Sequence, residues 1–142
     1  MIDIHKVYSN IFSLGKWREK RFQLFLIVTK PSKKYNLLDV GGYPGNWEKN
    51  SHYFNTITCL NLTKENNSAI PNLTTVQGDG RQLDFDDQQF DIVFSNSVIE
   101  HVGSFEDQKK FSEEILRVGR KVWVQTPAKG FFFEPHFLFP FF

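Results

Sequence analysis

The sequence predicts an α/β fold, in which a parallel sheet of about five strands is flanked by helices. Short apolar runs alternate along the chain with longer segments of helical or polar character. The runs are mostly continuous, without a strict alternation of apolar and polar residues, which is typical of parallel strands buried on both faces. Each run also ends close to glycine, proline or asparagine, the residues that favour turns.

Each element has its own signal in the sequence. A helix is predicted over residues 15–29, where large side chains recur at helical spacing until Pro31 stops the pattern. A short helix can form over residues 45–54. The strands are predicted at residues 35–40, 56–62, 72–79, 89–96 and 120–127.

Residues 104–119 form the clearest helix of the chain. Ser104 can cap its first turn, and Asp107 three positions later completes a capping box. One face carries apolar side chains at helical spacing, namely Phe111, Ile115 and Val118. The helix therefore packs on the sheet through this face.

Composition narrows the classes of function. The 142 residues suffice for one domain with a hydrophobic core. With 17 basic and 16 acidic residues, the net charge of +1 gives no general reason to expect nucleic acid or an anionic membrane as a partner. The basic cluster at residues 15–22 is interpreted as a solvated helix face. Cys59 is the single cysteine, and no signal peptide or membrane-spanning run is evident, so we expect a cytoplasmic protein.

The turn after the first strand, in LLDVGGYPGNW, is the first candidate binding site. Ligands of open α/β sheets bind beyond the carboxyl ends of the strands. Gly41, Gly42 and Gly45 allow a close approach to the backbone, and Asp39 places an acid beside it. The glycine spacing and Asn61 at the end of the second strand do not fit a dinucleotide site. A cationic nucleoside such as S-adenosylmethionine fits better, with an ordinary ligand-free turn as the alternative.

A second stretch strengthens this interpretation. VQGDGRQLDFDDQQFDIVFSNSVIEHV, residues 76–102, places Gly-Asp-Gly at the end of the third strand and SNSVIEHV after the fourth. Together with the 39–45 turn, it resembles class I S-adenosylmethionine-dependent methyltransferases of the broad group called methyltransferase type 11. The resemblance runs from about residue 35 to the C-terminus. It implies a Rossmann-like sheet and S-adenosylmethionine as the cofactor.

The resemblance also implies roles at the methionine end of the cofactor. The acid of the first turn and the end of the fourth strand would lie against the methionine portion. These positions are Asp39, Ser95 and Asn96, together with the turn residues Gly41, Gly42, Tyr43 and Gly45.

At the nucleoside end, Asn61 stands where such families bind the ribose hydroxyls, and Leu62 follows it. Asp79 matches the position that accepts a hydrogen bond from the adenine amino group, with Gly80 and Arg81 beside the ring. We therefore expect Asp79 and the acid of the first turn to face one shared crevice and to contact opposite ends of the cofactor.

Three features depart from the family pattern. Tyr43 replaces a glycine, the neutral Asn61 replaces the ribose acid, and the sequence stops soon after the fifth strand, before the last two strands of the usual seven-stranded fold. We interpret residues 1–142 as a single domain with a cofactor-binding core over 35–127 and a Phe-rich tail over 128–142. The open edge of the fifth strand and this tail favour self-association.

The resemblance implies methyl transfer from S-adenosylmethionine to a small-molecule, sugar or lipid-linked acceptor. The alternative is a truncated, non-catalytic module that acts through a partner. RNA methylation has little support, because related RNA enzymes place a catalytic aspartate where this chain has Asn96.

Two histidines are candidates for the general base that a hydroxyl acceptor would need. His101 follows the fourth strand, and His136 lies in the tail beside Glu134. Either histidine can instead serve only to hold a neighbouring loop. A metal site from Glu100 and the two histidines lacks convincing ligand spacing, so no metal is expected.

Overall fold

The computed structural model describes residues 4–63 and 69–126, with the backbone alone described for residues 4–15 and 17. Five parallel strands form one sheet in the order β3-β2-β1-β4-β5. This confirms the predicted fold class. The strands are β1 Asn36–Val40, β2 Thr56–Asn61, β3 Leu73–Gln77, β4 Ile92–Asn96 and β5 Val122–Gln125.

In the described part of the chain, two α-helices and three short 3-10 helices accompany the sheet. The α-helices are α1 Ile4–Thr29 and α2 Phe105–Val118. The 3-10 helices are Pro44–Trp47, Ser51–Tyr53 and Ile99–His101, so the short helix predicted over 45–54 is two 3-10 helices. α1 starts well before residue 15, because one interior glycine costs a helix only about 1 kcal/mol.

The start of α2 has the predicted capping box. The Asp107 backbone N–H donates to Ser104 Oγ at 3.2 Å, and the Ser104 backbone N–H donates to Asp107 Oδ2 at 3.0 Å. Phe111, Ile115 and Val118 are buried, as their spacing predicts. α2 is thus anchored on one face of the sheet.

Alternating residues of each central strand divide the core into two clusters. Leu38 and Val40 of β1 face α2, where they meet Phe111. Leu37 faces the other side, where Phe25 of α1 is fully buried. Buried runs on both faces explain why β1 and β4 read as continuous apolar stretches.

The direction of α1 matters for the site. Lys121 Nζ, just before β5, donates to the Thr29 carbonyl at 2.8 Å. The C-terminus of α1 therefore lies at the amino ends of the strands. Its earlier turns reach the carboxyl ends, where ligands of this architecture bind.

Candidate functional site at the carboxyl ends of the strands

The three glycines of the first turn have different structural roles. Gly41 has a φ of +79°, and a Cβ there would lie 2.5 Å from Val98 Cγ2. A Cβ on Gly42 would lie 1.7 Å from Asp39 Oδ2. No heavy atom lies within 4 Å of a Cβ built on Gly45. Only Gly45 therefore leaves open space beside the backbone.

Asp39 does not face a crevice, and in this respect the expectation of a shared crevice is wrong. Its side chain folds under Gly42, with 2% of the residue exposed, and Trp47 Nε1 donates to Oδ2 at 2.7 Å. Burial raises the pKa of Asp39 to about 7, against the lowering effect of the Trp47 hydrogen bond. The physical reason is the space that Gly42 leaves, which lets the carboxyl reach a buried donor.

Asp79 lies on the loop after β3 and is engaged by Arg81. The Arg81 guanidinium donates to Asp79 Oδ2 at 2.7 Å and to Asp107 Oδ1 at 3.0 Å. Hydrogen bonds from Arg81 hold the pKa of Asp79 below its ordinary value. We call Asp79, Arg81 and Asp107 the Arg81 cluster. It lies beside the start of α2, whereas Trp47 packs in the cluster on the α1 face.

Gly80 serves the packing of this loop. A Cβ there would lie 2.6 Å from Phe111 Cε2 and 2.9 Å from Val40 Cγ1. The loop after β3 can therefore approach α2 and β1 closely only with glycine at this position.

The end of β2 has a turn closed by its own side chain. Asn61 Oδ1 accepts from the Leu62 backbone N–H at 2.9 Å. Gln77 Nε2 donates to the Leu62 carbonyl at 3.0 Å. The Asn61 side-chain oxygen thus already accepts a hydrogen bond. The side-chain nitrogen can still donate to the hydroxyl oxygen of a ligand.

The end of β4 separates the two residues predicted there. Ser95 is 1% exposed, and its Oγ donates to the Val40 carbonyl at 3.1 Å, so its hydroxyl joins β4 to β1. Asn96 instead lines a cavity. Ser97 has a φ of +56°, and its N–H donates to the Gln125 carbonyl at 2.8 Å.

The candidate bases are only partly described. His101 is exposed at the end of the Ile99–His101 helix. Neighbouring Glu100 accepts from Thr126 Oγ1 at 3.1 Å. His136 and Glu134 lie outside the described residues. Within the described ranges, no three His, Cys, Asp or Glu side chains are grouped so that they could hold a metal ion.

A cavity of about 430 Å³ opens between α1, the first turn and the ends of β4 and β5. We call it the basic cavity, because it is lined by three cationic side chains and one carboxylate. The charge pattern of residues 15–22 predicts a solvated face, and the structure adds that this face borders a cavity. The sequence could have indicated this position. Arg18 and Arg21 lie four residues before Phe22 and Phe25, so they lie on the same side of the helix as these two apolar side chains. The lining residues are Arg18, Glu19, Arg21, Phe22, Gly45, Asn46, Trp47, Lys49, Asn50, Phe94, Asn96 and Gln125.

No α-helix in the described part of the chain is both long enough and apolar enough to cross a membrane.

Residues 38–122 match the methyltransferase domain family of type 11, Methyltransf_11. The match includes the first turn, the Gly-Asp-Gly loop and the end of β4. The chain therefore belongs to this methyltransferase family. A search of curated proteins finds no match.

Solved structures share the fold at low sequence identity. The YcgJ protein from Bacillus subtilis is 22% identical, with a TM-score of 0.57 over 68% of this chain and 44% of its own. An S-adenosylmethionine-dependent methyltransferase from Aquifex aeolicus is 16% identical, with a TM-score of 0.53 over 68% of this chain and 57% of its own. The [4+2]-cyclase SpnF is 18% identical, with a TM-score of 0.56 over 74% of this chain and 43% of its own. The chain thus spans about half of each matched structure.

Proposed function

We propose that the protein binds S-adenosylmethionine across the carboxyl ends of β1 to β4 and methylates a small-molecule, sugar or lipid-linked acceptor. The observation that carries this proposal is the Gly41–Gly45 turn, which lies within the family match, beside the point where the strand order reverses. Open space next to Gly45 allows a ligand to reach the backbone there.

The polar groups of the site fit such a nucleoside with one revision. In this proposal the Asp79 carboxylate accepts from the adenine amino group, and Asn61 donates to a ribose hydroxyl. Asp39 acts indirectly, because its buried carboxyl holds Trp47 and the turn rather than touching the ligand. The backbone of Gly45, rather than an acid, then contacts the methionine end.

The cofactor supplies an activated methyl group, and the chain contributes position and exclusion of water. Asn96 lines the basic cavity at the end of β4, where an acceptor would approach. His101, at the end of the short Ile99–His101 helix that follows β4, is the proposed base for a hydroxyl acceptor. His136 remains a second candidate on sequence grounds alone.

A titration of the purified protein with S-adenosylhomocysteine tests the cofactor site. We expect saturable heat and a rise in Tm, because a ligand that binds the native state stabilises it. Asp79→Ala should abolish both signals. Asp84→Ala, which removes an exposed acid of the same loop, is the matched control and should bind as the wild type does. Absence of heat and of a Tm shift at millimolar ligand would contradict the proposal.

The second candidate is a non-catalytic module, and one observation favours it. Tyr43, half exposed, occupies a position of the turn that is glycine in the family pattern. The fold alone does not dictate methyl transfer. Binding of S-adenosylhomocysteine without any turnover of S-adenosylmethionine in acceptor mixtures would favour this candidate.

A further inference from the structure

We propose that the basic cavity binds a phosphate-bearing small molecule, with Arg18, Arg21 and Lys49 holding its anionic group. The proposal rests on the proposed function, because it names the class of acceptor that would be methylated there. It starts from the concentration of positive charge. The chain as a whole carries a net charge of +1, yet the described residues that line the cavity include three cations and a single carboxylate.

Across residues 4–63 and 69–126, Arg18, Arg21 and Lys49 take part in no ion pair. The one carboxylate of the lining, Glu19, accepts from Gln23 Nε2 at 2.9 Å, its neighbour one turn later. Three cations around one cavity raise the local positive potential, which favours a bound anion.

The placement of the arginines is set by the helix that carries them. Arg18 and Arg21 lie seven and four positions before Phe25, which is fully buried, so they are on the sheet-facing side of α1. The antiparallel course of α1 brings that side over the carboxyl ends of the strands. Lys49 approaches from another element, after the Pro44–Trp47 helix. Two independent elements therefore direct cations into the same space.

The remaining lining suits a small polar molecule. The amide side chains of Asn46, Asn50, Asn96 and Gln125 can donate or accept hydrogen bonds. Gln125 Oε1 accepts from Trp123 Nε1 at 2.8 Å, which leaves its amide nitrogen as a donor. A volume of about 430 Å³ lies in the range of small-molecule sites. Arginine is the side chain best suited to bind phosphate with two parallel hydrogen bonds.

Calorimetric titration of the full chain with inorganic pyrophosphate at low salt tests the proposal. We expect saturable binding that weakens about tenfold in Arg18→Gln/Arg21→Gln, because charge-assisted hydrogen bonds to phosphate are lost. Lys49→Gln, which removes the lining cation after the Pro44–Trp47 helix, should also weaken binding. Lys20→Gln removes an exposed cation of the same helix outside the cavity lining and should leave the affinity unchanged. If Lys20→Gln weakened pyrophosphate binding as much as Arg18→Gln/Arg21→Gln, the binding would reflect general charge attraction, and the proposal would be overturned.

Titrations with two other ligands separate the possible ligand classes. Succinate should bind more weakly than pyrophosphate, and the reverse order would overturn phosphate in favour of a carboxylate. A single-stranded RNA oligonucleotide that binds more tightly than pyrophosphate, with the same dependence on Arg18 and Arg21, would overturn the small-molecule assignment.

S-adenosylhomocysteine affinity, measured on every variant, distinguishes this proposal from the proposed function. It should stay unchanged in the arginine variants. A parallel loss of both ligands would place the cofactor in the basic cavity and contradict the inference. Binding of pyrophosphate without binding of S-adenosylhomocysteine would leave the anion site standing while the proposed function fails.

Discussion

The two faces of the sheet handle charge in opposite ways at the carboxyl ends of the strands. On the α2 face, acids and bases pair with each other, as in the Arg81 cluster. Arg117 and Glu114 also pair, at 2.8 Å, in the last turns of α2 near the amino end of β4, and Glu114 also accepts from the Leu83 backbone N–H at 2.6 Å. On the α1 face, the acid of the first turn is buried with an indole N–H, and the cations border the basic cavity.

The difference separates side chains that already pair within the protein from side chains that form no ion pair among the described residues. Paired side chains on the α2 face fix the loop after β3 against the helix. Asp39 on the α1 face is also structural, because it is enclosed by Gly42 and Trp47. Arg18, Arg21 and Lys49, which form no ion pair within residues 4–63 and 69–126, are not held in the same way. Substitutions on the two faces should therefore affect stability and binding differently.

The largest effect is expected for Gly42→Ala. The new Cβ would lie 1.7 Å from Asp39 Oδ2, so the buried carboxyl must leave its hydrogen bond to Trp47 or the turn must move. We expect a loss of about 4 kcal/mol or more in the free energy of unfolding, measured in urea.

Gly45→Ala is the matched control for that substitution. A Cβ there meets no heavy atom within 4 Å, and its φ is not among the positive glycine values. The stability should change by less than about 0.5 kcal/mol. Equal losses in the two variants would contradict the role assigned to the buried carboxyl.

The next effect is a pH dependence that Asp39 brings to folding. Its pKa is raised to about 7 in the folded state, so between the ordinary aspartate value and pH 7 the folded protein binds more protons than the unfolded chain. Stability from this group is therefore full at low pH and is lost as the pH rises through about 7. Between pH 5 and pH 8 the loss should be roughly 3 kcal/mol.

Asp39→Asn should remove this pH dependence, because the amide does not titrate and its oxygen can still accept from Trp47 Nε1. Urea unfolding of both proteins at several pH values checks the prediction. A wild-type profile parallel to that of Asp39→Asn would show that the buried carboxyl does not titrate in this range.

Apart from the Gly45→Ala control, the smallest effect on stability is expected for Asp79→Asn. Its ion pair with Arg81 is exposed to solvent, with 37% of the Asp79 side chain accessible, so the loss should be under about 1 kcal/mol. High salt should reduce even this difference, because exposed charges are screened. Urea unfolding at low and high salt measures it. A larger loss would mean that any binding defect of Asp79 variants reflects unfolding.

Much of the fold could be predicted from the sequence because its signals are local. The capping box at Ser104 and Asp107 and the apolar strands depend on neighbouring residues, and the structure confirms them. The sequence predicts a later start for α1 than the structure has, because one interior glycine, Gly15, costs a helix only about 1 kcal/mol and does not mark its beginning.

The site could be predicted less completely because side-chain direction depends on distant contacts. The sequence indicates that Asp39 ends a strand, but only the space over Gly42 and the donor on Trp47 turn its carboxyl into the core. In the same way, the charge pattern of residues 15–22 predicts a solvated position for Arg18 but does not predict that Arg18 borders a cavity. The direction of α1 relative to the strands brings it to a cavity, and no local signal encodes that direction.

The central claim is that the ends of β1 to β4 form one cofactor site with a backbone-lined turn. Amide chemical shifts of nitrogen-15-labelled protein, titrated with S-adenosylhomocysteine, test it most directly. The amides of Gly41, Gly45, Leu62 and Gly80 should shift together along one saturation curve, whereas Lys109 on the exposed side of α2 should stay in place. Spectra that do not change at millimolar ligand, or shifts confined to α2, would contradict the claim.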